Sequence, residues 1–347
     1  MLGNHNGSHS ERGAMKSITH SSATCAKSCL RKYRYQYIDR LAPVRLAGPL
    51  RIGDLFHRGL EAQEPLPPQP YPGWATDEES RRKWDDEQVL ASICVMAHIE
   101  HWKDSPLNIT EREVEFSAPL TNGWMARGKV DGLAVHKDGL AIVEAKTCSE
   151  SVADGAEYWD KLRIDQQVSH YVVCMRAAGY DVRSTIYDVT QKPGVRTKLV
   201  PATDANGLKI YNAPDGTRAM KDDGTPYQSG KAGEREAVMR QETLEEYAVR
   251  CAEIMRGAPD DHFNRREVPR LESDLREYEV ELLDTCGILE YCEAENAWPR
   301  NTGACYWYGN RCRFYDLCYQ GWQSGDQVPE GFRVKDRKHE ELGGEAG

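Results

Sequence analysis

Apolar and polar residues change their spacing along the chain, and the changes predict where helices give way to strands. Helical spacing predicts one helix from Ser21 to near Pro43, a second over 53–63 and a third over about 77–103, with Thr76 as the N-cap of the third. Three stretches further on alternate or run apolar: REVEFSAPL, WMARGKVDGLAV and LAIVEAKTC. Because the turn sequences TNG and HKDG separate them, we expect a three-stranded antiparallel meander.

A further helix and strand follow the meander, over about 154–178 and 182–190. A strand, a helix and a strand in that order require a crossover connection, so we expect an α/β fold with a mixed sheet and helices on its faces. Residues 191–232 are rich in Gly, Asp, Lys and Pro, which predicts a long mobile loop or a weak hairpin. No internal repeat is evident along the sequence. Helices resume over about 241–257 and 271–296.

Charge and length narrow the class of protein. The 347 residues suffice for one large domain or two smaller ones, and 45 Lys and Arg against 55 Asp and Glu give a formal net charge of −10. Such a balance argues against coating nucleic acid through bulk charge, but leaves room for an enzyme with a local basic groove.

Several features together predict a cytoplasmic protein that does not contact a membrane. Mean hydropathy is −0.69, and no run approaches the roughly 18 apolar residues of a membrane span. The start of the chain lacks the apolar stretch of a secretory signal. We therefore expect the eleven cysteines to be reduced thiols or metal ligands.

The HKDG turn brings two carboxylates together. It places Val135 opposite Leu140 and, counting outward, Asp131 opposite Glu144 on the same face of the sheet. Lys146 points to that face too. A divalent cation would offset the repulsion between the carboxylates, and the lysine could orient a water or stabilise charge on a phosphate. The alternative is an ordinary surface ion pair between Lys146 and Glu144.

The sequence around these residues resembles a known family. GKVDG, then thirteen residues from Asp131 to Glu144, then VEAKT resembles the core of the PD-(D/E)XK nuclease superfamily, in its RecB-like branch. Upstream, GDLFHRGLE resembles the G-x-x-x-H-x-x-L-E motif of that branch. Downstream, Gln167 and Tyr171 fit its Q-x-x-x-Y motif, so the resemblance covers roughly residues 53–171.

The resemblance implies a metal centre. It implies that Asp131, Glu144 and His57 hold Mg²⁺ or Mn²⁺, with the backbone carbonyl of Ala145 as a further ligand. Considered alone, a helical histidine such as His57 is more often a packed or exposed side chain than a metal ligand.

The resemblance also implies catalytic roles for three side chains. Lys146 would position the attacking water or stabilise the pentacoordinate phosphate. Gln167 and Tyr171 would contact the DNA backbone or orient the lysine. Their spacing of four residues is also what two neighbours on one helix face would show.

Cysteines form a second group of candidate ligands. Cys305, Cys312 and Cys318 have six and then five residues between them, and Cys25 and Cys29 lie near the other end of the chain. This arrangement resembles the iron–sulfur staple of RecB-like nucleases such as AddB-type helicase–nuclease subunits and CRISPR-adaptation nucleases. The resemblance implies a [4Fe–4S] cluster with Cys29 as the fourth ligand and Cys25 as the alternative. The family's commonest pattern has only two residues between the first two C-terminal cysteines.

Four thiolates would suit Zn²⁺ as well, and unligated buried thiols are the remaining possibility. The other cysteines are expected to be core thiols: Cys94, Cys148, Cys174, Cys251, Cys286 and Cys292.

The segment RKYRYQY interleaves cations with tyrosines, a pattern that suits single-stranded nucleic acid. The alternative is a helix in which Tyr33 and Tyr37 pack inward while the cations stay in solvent.

Together these features predict a Mg²⁺- or Mn²⁺-dependent DNA nuclease. By resemblance, the expected activity is that of an exonuclease acting on single-stranded DNA or DNA with free ends, in recombination, repair, or phage or CRISPR-type processing. Because no P-loop is present, any unwinding would come from a helicase or recombination partner. The alternatives are a structure- or sequence-specific endonuclease, a non-catalytic DNA-end-binding subunit, and an iron–sulfur redox or regulatory protein.

We expect three parts along the chain: a disordered N-terminus over 1–20, a single PD-(D/E)XK nuclease domain over 21–322 and a polar tail over 323–347. Within the nuclease domain we expect a catalytic core over about 51–190 and the mobile loop over about 191–232. The C-terminal helices and the cysteine cluster complete the domain over 241–322.

Overall fold

Six strands form one mixed sheet with helices on both faces, as seen in a computed structural model that describes residues 15–137, 139–307, 309–340 and 342. The strands are β1 (Ser17–Ile18), β2 (Leu41–Pro43), β3 (Ile109–Pro119), β4 (Met125–His136), β5 (Gly139–Cys148), β6 (Val182–Gln191), β7 (Leu199–Pro201), β8 (Tyr211–Asn212), β9 (Glu236–Ala237), β10 (Met239–Gln241), β11 (Phe263–Glu267), β12 (Tyr306–Trp307), β13 (Asn310–Arg311) and β14 (Phe332–Val334). The helices are α1 (His20–Ser28), α2 (Leu30–Tyr33), α3 (Gly48–Ala62), α4 (Glu78–Trp102), α5 (Glu157–Arg163), α6 (Gln166–Ala177), α7 (Leu244–Gly257), α8 (Pro259–His262), α9 (Glu272–Ala294) and α10 (Tyr315–Gln320).

The sheet confirms the predicted meander and crossover. In the main sheet, β1 pairs with β4, β4 with β5, β5 with β6 and β6 with β11, while β3 also pairs with β4. The β3–β4 and β4–β5 pairs are antiparallel, and β6 is parallel to β5 after the crossover through α5 and α6. Val135 pairs with Leu140, which is the register that the HKDG turn predicts.

Helices bury both faces of the central strands, and this explains the continuous buried apolar run over residues 141–143 of β5. On one face, Ile142 of β5 and Tyr187 of β6 belong to a core shared with α6 and α9. On the other face, Ala145 packs in a second core with Phe56 of α3 and Phe263 of β11. The catalytic candidates therefore lie on strands held from two sides.

Gly59 sets the approach of α3 to α4. A Cβ atom at this position would lie 2.7 Å from Val95 Cγ2, so only glycine permits the observed packing without movement. Because His57 lies two residues earlier on α3, this close packing also determines where that imidazole sits.

Two predicted helices are interrupted. The helix predicted from Ser21 onward breaks at Cys29, which has extended backbone angles (φ −166°, ψ 118°) between α1 and α2. After α2 the chain makes a π-helical turn over Arg34–Ile38. The helix predicted over 154–178 divides into α5 and α6, because Asp165 caps a new helix by accepting a hydrogen bond from Gln167 N–H.

The structure also differs from the predictions at the N-cap of α4, over residues 15–20 and at β14. Asp77, rather than Thr76, caps α4, since its carboxylate accepts a hydrogen bond from Ser80 N–H at 2.7 Å. Disorder was predicted over 1–20. Residues 1–14 lie outside the described residues, whereas residues 15–20 are ordered, because they contain β1 and the start of α1. In the segment predicted as a polar tail, β14 pairs with β2.

The segment predicted as a mobile loop or weak hairpin carries a repeated turn. β7 pairs with β10 and β8 with β9. Between them, Asp204, Asp215 and Asp223 each accept a hydrogen bond from the backbone N–H two residues ahead, at 2.9 to 3.0 Å. Three such turns over residues 204–225 form a short repeat where none was expected.

Candidate active site

Asp131 lies at the point where β4 separates from β5. The ladder between these strands ends at Gly132 and Val143, one position inward from Asp131 and Glu144. Asp131 Oδ2 accepts a hydrogen bond from Ala145 N–H at 2.8 Å, and Asp131 Oδ1 lies 3.3 Å from Nδ1 of His57. Strand β5 and helix α3 thus both contact the carboxylate of this β4 residue.

Glu144 is almost completely buried, with 3% of its surface exposed. Its Oε1 accepts a hydrogen bond from Lys146 Nζ at 2.9 Å. Its Oε2 is buried and has no hydrogen-bond partner among the described residues. An unpaired buried carboxylate oxygen is costly, so this atom needs an explanation.

Lys146 joins the strand to α6. Besides Glu144, its Nζ donates to Gln167 Oε1 at 2.5 Å and lies 3.8 Å from Asp165 Oδ2. Gln167 in turn donates from Nε2 to Tyr171 Oη at 2.8 Å. The four predicted residues Glu144, Lys146, Gln167 and Tyr171 therefore form one continuous chain of hydrogen bonds.

The protonation states follow from this geometry. Burial, and then the neighbouring Asp131 carboxylate, raise the pKa of Glu144 to about 7. Burial alone would raise the pKa of Asp131, but the His57 charge and hydrogen bonds from His57 and Ala145 lower it. Burial alone would lower the pKa values of His57 and Lys146. The charge of Asp131 outweighs the effect of burial on His57 and raises the pKa of His57 to about 9. The charges of Glu144 and Asp165 likewise outweigh the effect of burial on Lys146 and raise its pKa.

The donor set fits a hard divalent cation. Two carboxylates lie together, and one of them has an unpaired oxygen. This fits Mg²⁺, which usually binds through one or two carboxylates and keeps several water ligands. A cavity of about 10 Å³, bordered by His57, Asp131 and Ala145, has room for about one water-sized particle. In the ranges that the structure describes, no three His, Cys, Asp or Glu side chains already form a metal-binding cluster.

Two functional candidates were missed by the sequence interpretation. Asp165 faces Lys146, and its signal was its place directly before the Gln167 helix turn. Asp188, 2% exposed, borders the same small cavity as Asp131 and pairs with Arg265 at 2.8 Å and His98 at 3.3 Å. A charged residue inside the apolar strand VRSTIYDVT was its signal.

Four cysteines differ from the other seven in exposure. Cys29, Cys305, Cys312 and Cys318 are half-buried, whereas the remaining seven are buried. Asn301 connects two of them, because its N–H donates to Cys29 Sγ at 3.4 Å and its carbonyl accepts from Cys305 Sγ at 3.8 Å.

The other two half-buried cysteines adjoin this pair. Cys312 N–H donates to the Cys305 carbonyl at 2.8 Å. Burial raises the pKa of Cys318, and the nearby thiols of Cys29 and Cys305 add to the effect. Cys25 instead is buried against Gln36, and burial raises its pKa to about 11.

The tyrosines of RKYRYQY do not form a stacking surface for bases. Tyr33, Tyr35 and Tyr37 are each less than 5% exposed, so the tyrosines pack inward as the helical alternative predicts. Tyr33 stacks on Trp298, with ring centroids 6.1 Å apart, and Arg31 donates to the Trp298 carbonyl at 2.7 Å. Their function is to hold the first helices against the C-terminal region.

The mixed sheet, its flanking helices and the paired carboxylates define a nuclease-like α/β core of the PD-(D/E)XK type. The sequence profile of the PD-(D/E)XK nuclease superfamily matches residues 17–318, and the chain belongs to that superfamily. Its members are generally nucleases and usually use Mg²⁺ or Mn²⁺, and a nuclease of this superfamily would act on DNA.

Similarity to individual proteins is weaker than the match to the superfamily profile. Among solved structures, the crystal structure of SSO0001 is similar at 9% sequence identity and a TM-score of 0.31, covering 81% of this chain and 79% of that one. No curated protein matches the chain in sequence. No helix within the described ranges combines the length and apolar character needed to cross a membrane.

Proposed function

We propose that this protein is a Mg²⁺- or Mn²⁺-dependent deoxyribonuclease of the RecB-like branch that degrades DNA from free ends. The observation that carries the proposal is the difference in environment between the two carboxylate oxygens of Glu144. One oxygen binds Lys146, and the other is buried beside Asp131 with no partner. A cation at this carboxylate pair would account for both the unpaired oxygen and the close approach of two acids.

Asp131, Glu144 and His57 would hold the metal, together with the carbonyl oxygen of Ala145. When bound, the metal supplies positive charge for the phosphate oxygens and lowers the pKa of a coordinated water. The hydrogen bond from Ala145 N–H keeps Asp131 oriented toward the site, because it occupies Oδ2 and leaves Oδ1 facing His57.

Lys146 would act on the water or the phosphate. Its raised pKa keeps it a cation at neutral pH, and its place between Glu144 and Gln167 restrains the ammonium group. A fixed positive charge at this point stabilises charge that develops on the phosphate. Gln167 and Tyr171 would hold the lysine in place, since both amide hydrogen bonds of the chain pass through Gln167.

The half-buried cysteines Cys29, Cys305, Cys312 and Cys318 would bind a [4Fe–4S] cluster, with Zn²⁺ as the alternative. Their shared neighbourhood and their difference in exposure from the other thiols support this ligand set. The burial of Cys25 favours Cys29 as the fourth ligand. When bound, the cluster supplies four metal–thiolate bonds that tie the α1–α2 junction to residues 305–318.

The test combines metal content with cleavage. Protein purified without oxygen is examined by visible absorption and iron analysis, then incubated with Mg²⁺ or Mn²⁺ and either end-labelled linear or closed circular single-stranded DNA. We expect a brown protein that degrades only the linear strand, and the Glu144→Gln variant to be inactive on both.

Cutting of circles would favour an endonuclease instead. A colourless protein that still cleaves would move the thiols to zinc or to no metal. A folded, metal-loaded protein that binds DNA ends without cleaving them would favour the non-catalytic subunit and contradict the proposal.

A further inference from the structure

A cleft of about 1040 Å³ lies beside the half-buried cysteines and the start of α3. Its walls include Pro43 of β2, Leu50 of α3 and Cys312. The cations that line it are Lys32, Arg45, Arg51, Lys83, Arg311 and Arg313. No Asp or Glu belongs to its lining among the described residues, although the whole chain carries a net charge of −10. The cleft is therefore a local reversal of the protein's overall charge.

Most of these charges have no protein counter-ion. Two do: Arg51 forms a two-pronged pair with the buried Glu87, at 2.6 and 2.7 Å, and Arg311 lies 2.9 Å from Asp316. For the other four cations, no carboxylate in the described ranges lies within 4.0 Å. They are left to bind an anion from outside the protein.

Arg45, Lys83 and Arg313 are exposed, and Lys32 is half-buried. The guanidinium of Arg45 is held over the Trp74 ring, 4.2 Å from its centroid. A restrained and exposed guanidinium such as that of Arg45 loses little conformational freedom when it contacts a phosphate.

The lining favours a phosphate backbone over stacked bases. No aromatic side chain belongs to the described lining, so the cleft lacks the rings on which bases stack in many single-strand sites. Its volume is at the upper end of the roughly 300–1,000 Å³ typical of small-ligand pockets. That space admits a few nucleotides of one strand, and it is too small for both strands of a duplex.

The cleft and the carboxylate pair share α3. Leu50 lines the cleft, and His57 contacts Asp131. They are seven positions apart, which is about two helical turns, so both lie on the same face of α3 and about 11 Å apart along its axis. A strand that leaves the cleft along this face reaches the carboxylates without crossing the helix.

We propose that this basic cleft binds the phosphates of a single DNA strand and leads that strand to the Asp131–Glu144 site. The inference rests on the proposed nuclease function for its substrate, but it makes a separate claim about binding. The affinity for single-stranded DNA should depend on the cleft cations, and the affinity for blunt duplex DNA should depend on them much less.

The experiment measures binding without catalysis. Fluorescence anisotropy in EDTA follows a short labelled single strand and a blunt duplex of the same sequence across a series of salt concentrations. The cleft variant is the triple substitution Lys32→Ala, Lys83→Ala, Arg313→Ala. Its matched control removes three cations that do not line the cleft: Lys209→Ala, Lys221→Ala, Arg276→Ala.

We expect the cleft variant to bind the single strand at least about tenfold more weakly at low salt. Because each phosphate contact on a single strand contributes about 0.7 to the slope of log K against log salt, the slope should become shallower by about 2. The control should keep the wild-type slope. If the triple variant does not fold, as judged by circular dichroism, the charge reversal Lys83→Glu at an exposed position takes its place.

Wild-type slope in the cleft variant, or no single-strand binding by the wild type, would overturn the inference. An equal loss on the blunt duplex would overturn its single-strand part. Failure of the nuclease proposal looks different, because the wild type would then bind in EDTA through the cleft and yet leave both DNAs intact with Mg²⁺ or Mn²⁺.

Discussion

Lys146 Nζ donates to Oε1 of Glu144, two residues earlier on the same strand, and leaves Oε2 of that carboxylate buried without a partner. Because side chains alternate along a strand, residues two apart share a face, and here the lysine satisfies only half of the acid. Removing the charge of Glu144 should therefore change stability and activity in opposite directions.

Glu144→Gln should raise the free energy of unfolding measured in EDTA by roughly 1–3 kcal/mol, because a neutral amide replaces a desolvated carboxylate. Added Mg²⁺ should stabilise the wild type and leave this variant unchanged, and cleavage should be lost. Urea unfolding with and without Mg²⁺ measures the first two effects. Glu253→Gln, at an exposed position on α7, is the control and should match the wild type throughout. A less stable Glu144→Gln in EDTA would contradict this view of the site.

Lys146→Met should lower kcat about 10²- to 10⁴-fold, the range typical of a positioned charge or proton-transfer group. Gln167→Ala should lower kcat by about tenfold with little change in KM, because the ammonium loses one of its two hydrogen bonds but keeps the one to Glu144. Steady-state kinetics on linear DNA separates the two. A pure KM effect for Gln167→Ala would indicate that this amide contacts DNA instead of the lysine.

The contribution of His170 to stability should be lost as the pH falls from 7 toward 4. This imidazole is fully buried, bonded to Tyr278 Oη at 2.8 Å and near the Arg127 carbonyl at 3.1 Å, and burial lowers its pKa from 6.5 to about 4. Between those values the unfolded chain binds the proton and the folded protein does not, so acid favours unfolding.

The loss attributable to His170 should reach about 2 kcal/mol by pH 5, since each pH unit inside the window contributes up to about 1.4 kcal/mol. The His170→Gln variant should lose correspondingly less between pH 7 and pH 5, whatever its stability at pH 7. Between pH 7 and 8 the two proteins should show the same pH dependence. Equal losses below pH 6.5 would show that this histidine does not titrate as described.

Cys29→Ser should remove the cluster absorbance and most of the bound iron or zinc, whereas Cys25→Ser should retain both. The two positions lie four residues apart, yet one thiol is half-buried beside Asn301 and the other is buried against Gln36. Metal analysis of the purified variants provides the measurement. If only Cys25→Ser loses metal, the fourth ligand has been assigned to the wrong cysteine.

The sequence predicted the central sheet well, because alternation and short turns specify a meander locally and a crossover follows from element order. It did not reveal the breaks at Cys29 and Asp165, since helical periodicity continues across both and only side-chain caps and tertiary contacts interrupt it. The family resemblance implied that Gln167 and Tyr171 contact DNA or orient Lys146, and the hydrogen bond between Lys146 and Gln167 agrees with the second role. The basic cleft could not be found that way, because its cations come from four separate parts of the chain.

The pairing of β2 with β14 brings Pro43 and Phe332 together across almost three hundred residues. Closing a loop of that length costs about 5 kcal/mol of chain entropy, so this contact is expected to form late and to open early. Pro43 also lines the cleft, as do Asn301, Gly303, Ala304 and residues 310–313. As the chain emerges from the ribosome, the strands that carry Asp131, Glu144 and Lys146 become available well before either the thiols of the last segment or the completed cleft. A nascent or proteolytically trimmed chain would thus carry the hydrolytic carboxylates without the surface that delivers DNA to them.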